Sequence, residues 1–289
     1  MSRQEQRTLR KGPLGEQVAD AWPQLDRGAI DAEIRGGQIF VDGQRAHDPR
    51  VIVAAGARLL RHDQPPAPPP SLPILYEDRE LLVLDKPAGI HLNATETTAR
   101  LAAVEVLGDR ELYLVHRIDV GTTGLVLLAK QPAIAEELSA AFRERLIEKT
   151  YLAVAVGAVT VDRVEAPIGM DKKRPRARAI RSDGKPAVTL LEVRACRDGL
   201  TALIARPLTG RTHQIRVHLA HLGAPLLGDT LYGGPTAARL EKVVVRPERP
   251  LLHAYALAFS LRGKAHRYQA PIPKDLAQIQ ALGLSFGLT

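Results

Sequence analysis

Cysteine is all but missing from this chain of 289 residues, where Cys196 stands alone. One thiol forms no internal disulfide, builds no cysteine cluster for zinc and holds no iron–sulfur centre, so it is expected to be a small buried apolar residue. Aromatic residues make up only 4%, which argues against a surface built mainly by stacking bases on exposed rings. No apolar run approaches the roughly 20 residues needed to span a bilayer. The opening Met1-Ser2-Arg3-Gln4-Glu5-Gln6-Arg7 has no apolar signal core, so a cytoplasmic chain without a membrane partner is expected. Anionic residues are also short: Asp and Glu number 32 against 40 Lys and Arg, a net charge of +8. That excess suits a polyanionic partner.

What is present is an ordinary globular composition, 45% hydrophobic and 25% charged, long enough for one or two cores. The cations are not evenly spread. Residues 172 to 185 hold Lys172, Lys173, Arg174, Arg176, Arg178, Arg181 and Lys185 against one anion, Asp183. A solvated loop explains such a run, but its density also suits a track of phosphates whose counterions it would release.

Residues 1–11 are polar and read as a flexible arm. From Gly12 to about residue 62 the pattern predicts a compact unit. A short helix carries Leu14, Val18 and Trp22, and a second is capped by Asp26 and ended by Gly36-Gly37. A hairpin turns at Asp42-Gly43, and short strands follow at Val51-Ile52-Val53 and Arg58-Leu59-Leu60. Residues 63–71, rich in proline, read as a linker, because proline favours an extended chain and donates nothing to a sheet. A second domain is expected over 72–289. Its strands are suggested at Ile74-Leu75-Tyr76, Leu81 to Leu84, Lys149 to Val156, Ala187 to Ala195, Leu200 to Pro207, His253 to Leu261 and His266 to Gln269. A helix follows Pro132 with Ile134, Leu138, Phe142 and Leu146 on one face. Few helices separate these strands, so the expected class is α+β with a mainly antiparallel sheet.

Two stretches concentrate chemistry. In Leu112-Tyr113-Leu114-Val115-His116-Arg117-Ile118-Asp119, an apolar run ends by placing a cation and a carboxylate two residues apart, on one face if the strand continues. A Gly/Thr turn, Gly121-Thr122-Thr123-Gly124, then leads into a second apolar run. In Thr209-Gly210-Arg211-Thr212-His213-Gln214-Ile215-Arg216-Val217-His218, Gly210 allows a tight turn and Thr212 can cap a helix whose first amides favour an anion. His213, His218 and His221 match no zinc-hydrolase spacing and lie among cations, so no metal is expected. Lys86 in Lys86-Pro87-Ala88-Gly89 stands at a strand end, and Tyr151 near the start of another.

Taken together and in order, Lys86-Pro87-Ala88-Gly89, His116-Arg117-Ile118-Asp119 with Thr123-Gly124, Lys149-Thr150-Tyr151, Gly210 to His218, Leu227-Gly228-Asp229 and Tyr232-Gly233 resemble the RluA-type pseudouridine synthases. The likeness spans roughly Leu72 to Leu276. The first domain resembles the small RNA-binding domain named after a ribosomal small-subunit protein. In its second helix Arg27 and Arg35 face Asp26, Asp31 and Glu33, which weakens any grip on phosphate.

The resemblance implies isomerisation of uridine within RNA, without cofactor or metal. The bond from ribose to base nitrogen breaks, the uracil turns, and a bond to base carbon 5 forms. It implies Asp119 as the carboxylate, either capturing the electron-poor sugar carbon or removing a sugar proton. It implies Arg216 as that carboxylate's partner, and Tyr151 as the ring and hydroxyl of the base pocket. Arg117 is expected to fill the space vacated by the uridine, with His116 and His213 as hydrogen-bonding supports. Lys86, Arg211, Lys172, Lys173, Arg174, Arg176 and Arg178 complete the expected RNA contacts. Ribosomal RNA is the expected partner of a monomeric enzyme. Transfer RNA, or a non-catalytic RNA-binding or ribosome-assembly role on the same fold, are the alternatives.

Overall fold

The computed structural model describes residues 3–62, 72–92, 107 and 111–288, and the chain separates into two compact units. The first comprises Met1–Ser71 with Ile90–Arg110, the second Leu72–Gly89 with Glu111–Thr289. The proline-rich linker predicted at 63–71 lies outside the described residues.

In the first unit helices α1 (Leu14–Ala21) and α2 (Arg27–Arg35) pack Leu14, Val18, Ile30 and Ile34 onto Ile39 and Leu59 of a four-stranded antiparallel sheet. Asp26 caps α2 by accepting the Ala29 amide at 2.8 Å. Asp42 and Gly43 both take positive φ, the mirror-image turn that suits a two-residue hairpin. The expected flexible arm is corrected here: Arg3–Arg7 is an edge strand paired antiparallel to Arg58–His62. An edge strand gains ladder hydrogen bonds while its side chains stay in water, so no apolar pattern announces it.

The second unit is built on a ten-stranded sheet. In space the path runs Arg163–Glu165, Val188–Arg197, Leu200–Pro207, Glu148–Val156, Leu252–Leu261, Thr123–Ala129, Leu81–Lys86, Ile74–Glu77. Lys264–Gln269 adds to Leu252–Leu261, and Tyr113–Leu114 to Thr123–Ala129. Every pairing is antiparallel except Thr123–Ala129 against Leu252–Leu261. The class is mixed α+β, as the strand spacing suggests.

The central strands carry apolar runs, at 125–129 and 152–156, because both faces are covered there. Leu152 and Val154 face a core with Leu276 and Ile279 of a C-terminal helix, Lys274–Ala281. Ala153 and Ala155 face the opposite core, which Ile215 and Leu219 of the helix Gln214–His221 close. Tyr151 shares that second face. α3 (Pro132–Glu144) seats Ile134 and Leu138 on Leu125 and Leu127. It stops at Arg145, which adopts a left-handed conformation with φ 65°. Leu146 therefore leaves the helix face on which the four-residue repeat placed it, and is 64% exposed. Cys196 is also exposed rather than buried, on Val188–Arg197. None of the described helices is long and apolar enough to cross a membrane.

Candidate active site

Asp119 does not sit on a strand. The strand Tyr113–Leu114 ends early, and residues 115–122 form an irregular loop before the next strand begins at Thr123. The strand on which the period-two expectation rested is therefore absent at these residues, where Arg117 is exposed and Asp119 partly buried. The loop is held from several sides. The Nε2 of His116 accepts the Leu127 amide at 2.9 Å, and its ring stacks on Phe142 at 4.5 Å. Burial, reinforced by the charge of Lys149, pushes His116 down to about 3, so it is a neutral acceptor. Ile118 is buried, and the Thr122 amide turns back onto the Asp119 carbonyl at 3.0 Å.

Lys86 is the next support and a correction. Expected to meet RNA, it is fully buried, with Nζ donating to the carbonyls of Pro87 at 2.9 Å and Val120 at 3.2 Å. Burial lowers it to about 7, although the nearby Asp119 carboxylate works the other way. Its place is beneath the loop rather than against a phosphate.

The turn before the helix Gln214–His221, hereafter α4, brings Arg216 to Asp119. The cap expected of Thr212 is not used. His213 is the N-cap, with φ 59°. The Gln214 side chain holds the turn instead, its Oε1 accepting from Thr209 at 2.6 Å and from the Arg211 amide at 3.0 Å. The guanidinium of Arg216 grips Asp229 at 2.7 and 2.8 Å and reaches Asp119 Oδ2 at 3.3 Å. Asp229 is completely buried. A fixed fork on one carboxylate aims the remaining nitrogen at the other.

These groups surround a cleft of about 540 Å³. His116, Arg117, Asp119, Tyr151, Arg211, His213 and Arg216 all line it, so the structure gathers seven residues separated by up to a hundred positions in the sequence. Six lining cations, Arg117, Arg143, Arg145, Lys149, Arg211 and Arg216, face one lining carboxylate, Asp119. Tyr151 lies where the sheet register slips between Thr150 and Tyr151, an irregularity that re-aims a side chain. Burial and then the Asp119 charge push its phenol upward, so it stays neutral. His213 Nε2 is 3.9 Å from Asp119 Oδ1, and burial outweighs that carboxylate to lower the imidazole.

The basic run lies apart from the lining. Lys172, Lys173, Arg174 and Arg176 are exposed next to the hairpin of Ile168–Met170 and Arg178–Ile180. Arg174 is engaged by Asp171 at 2.8 Å and by the Leu231 carbonyl at 2.8 Å, while the Arg178 amide reaches the Tyr232 hydroxyl. Sequence reasoning gave no role to Asp229, Arg143, Arg145 or Lys149. Gly228-Asp229 behind a buried Leu227 was a visible signal for the first, whereas Arg143 and Arg145 look like ordinary charges at a helix end. His218, which the metal question raised, is fully buried and bonded to Thr189 and the Ala166 carbonyl.

Comparison with known proteins adds a second line. The sequence model described as RNA pseudouridylate synthase matches residues 80–221. Ribosomal large subunit pseudouridine synthase D of Xanthomonas campestris pv. campestris is 36% identical, over 91% of this chain and 86% of its own length. The protein of the same name from Pseudomonas aeruginosa is 32% identical over 93% and 91%. Among solved structures, human RNA Pseudouridylate Synthase Domain Containing 1 superposes with a TM-score of 0.55 at 27% identity, covering 74% of this chain and 96% of that one.

Proposed function

This chain belongs to the RNA pseudouridylate synthase family, and from that premise we propose that it isomerises uridine in ribosomal RNA to pseudouridine with Asp119 as the catalytic carboxylate. The observation that carries the reading is the pairing of Asp119 with a buried, immobilised Arg216 at 3.3 Å inside a cleft whose charged lining is otherwise cationic. The cations suit an RNA backbone, and the lone carboxylate suits a reaction at an electron-poor sugar carbon. The choice of ribosomal RNA is supported by the names of the bacterial relatives, which are ribosomal large subunit pseudouridine synthases.

A uridine drawn from its stack enters the cleft with its base against Tyr151, and Arg117 at the rim occupies the space it leaves. The bond from the sugar carbon to the base nitrogen breaks with its electron pair leaving on the base. Asp119 either bonds to the sugar carbon or takes a sugar proton. Base carbon 5 then bonds to the sugar carbon, displacing the Asp119 oxygen in the first route or with Asp119 returning the sugar proton in the second; the proton on carbon 5 is lost to solvent and the freed base nitrogen takes one up. Both routes begin from an ionised carboxylate, and Arg216 donates to it at 3.3 Å.

Release of tritium from RNA labelled at uridine carbon 5 tests this directly. The wild type is expected to release it from unmodified ribosomal RNA, and Asp119→Asn to lose turnover by more than about 10³-fold while binding RNA nearly as well. Undiminished turnover in that variant removes Asp119 from its role. Release from transfer RNA alone would change the substrate, and no release from either RNA despite binding would favour a non-catalytic RNA-binding protein.

A further inference from the structure

Tyr232 ends the short 3-10 turn Thr230–Tyr232 that follows Asp229, and it has no part in the chemistry above. Its hydroxyl accepts the backbone N–H of Arg178 at 2.8 Å and lies 2.7 Å from Nδ1 of His213. Its ring meets the His213 imidazole edge to face, at 5.6 Å and 82°, and lies 5.0 Å from the guanidinium carbon of Arg216.

The proton inventory fixes the direction of the first bond and leaves the phenol its own proton for the second. A backbone amide only donates, so the phenolic oxygen accepts from Arg178 and its single proton is free for His213 Nδ1. A neutral imidazole whose Nδ1 accepts carries its own proton on Nε2. That is the nitrogen 3.9 Å from Asp119 Oδ1. The turn is also tied to the basic hairpin one residue earlier, where Arg174 Nη1 donates to the Leu231 carbonyl at 2.8 Å. Two consecutive residues of one turn thus join the cationic hairpin to the groups flanking Asp119.

We propose that Tyr232 is a positioning residue that couples the basic hairpin to the catalytic carboxylate. Its hydroxyl holds His213 with Nε2–H directed at Asp119, and its ring seats Arg216, so RNA gripped by the hairpin sets the geometry around the reacting group. The proposal rests on the pseudouridine synthase reading and assigns Tyr232 no contact with the substrate.

Tyr232→Phe keeps the ring and the Arg216 contact and deletes only the hydroxyl. In steady-state tritium release, kcat is expected to fall about 10- to 30-fold with KM for RNA changed by less than about twofold. Nitrogen-15 NMR of the imidazoles gives a readout independent of activity: His213 is expected as the Nε2–H tautomer in the wild type and as a mixture, or the opposite tautomer, in the variant. The groups facing His213 are Asp119, Asp229, Arg178 and Arg216. All four remain in Tyr232→Phe, so a change of tautomer reports the hydroxyl and not a new charge. A lower kcat with the tautomer unchanged, or kcat and tautomer both unchanged, overturns the proposal. If the wild type releases no tritium, the functional reading falls, while the NMR comparison still decides whether Tyr232 governs His213.

Discussion

Arg216 holds Asp229 with two nitrogens, at 2.7 and 2.8 Å, on a carboxylate with no exposure to solvent. The pair explains why Arg216 can face Asp119 without moving toward it: two of its three nitrogens are already fixed. Replacement by Met would leave the Asp229 charge buried and uncompensated, at a cost of about 3–5 kcal/mol. Urea unfolding of Arg216→Met should show that loss. Arg216→Lys restores charge without the fork, so it should recover part of the stability while turnover stays at least about 10²-fold down. Full activity in the Lys variant would mean that the fork does not orient Asp119.

Lys86 predicts a pH dependence of stability. Burial lowers its pKa from 10.5 to about 7 in the folded chain. Between those values the unfolded chain binds the proton and the folded chain does not, so stability rises with pH by up to about 1.4 kcal/mol per unit. Below pH 7 both states are protonated, the full burial cost is present, and this slope vanishes. Lys86→Met carries no proton. Its unfolding free energy minus that of the wild type should therefore decline from pH 7 to pH 10. A pH-independent difference would show that the ammonium is not destabilised by its site.

The exposed cations of the hairpin are not among the residues that line the cleft. Replacing Lys172, Lys173 and Arg176 together should weaken RNA binding and reduce the slope of log affinity against log salt by about 2–3, close to one per lost phosphate contact. Filter binding between 50 and 200 mM salt measures it. An unchanged slope would mean that this hairpin does not meet phosphate.

Tyr151 is a phenol kept neutral by burial and by Asp119, so it keeps its proton and is no phenolate at neutral pH. Tyr151→Phe should lower kcat about 10²-fold. It should leave RNA affinity within about twofold, because the stacking ring remains. Loss of binding equal to the loss of rate would make the hydroxyl a binding group instead.

Much of this architecture was legible in the sequence where one force dominated. Leu200–Pro207 is apolar except at Thr201 and the exposed Arg206, because the rest of it is buried on both faces, and it stops at proline. Asp42-Gly43 announces its hairpin because few residues tolerate positive φ at two successive positions. Arg3–Arg7 was hidden because backbone pairing alone makes it a strand. Leu146 misled because the helix stops at a left-handed Arg145, a position where glycine is the usual signal. At the site, motif order brought forward Asp119, Tyr151 and Arg216, and the structure gathers them in one cleft. It was silent on Lys86 being a buried brace, because a lysine at a strand end reads the same whether its ammonium meets water or two carbonyls.

The one parallel pairing in the large sheet sets Thr123 and Gly124 beside His253 and Ala254. It is so close that a β-carbon on Gly124 would lie 2.3 Å from the Ala254 carbonyl oxygen. Through that seam the loop bearing Asp119 meets the half of the sheet on which Arg216 rides. During synthesis Asp119 emerges roughly 130 residues before its seam partner, a delay on the order of ten seconds at about 5–20 residues per second. The growing chain thus carries the loop of Asp119 for that interval before the strand against which the loop's end is seated has been made.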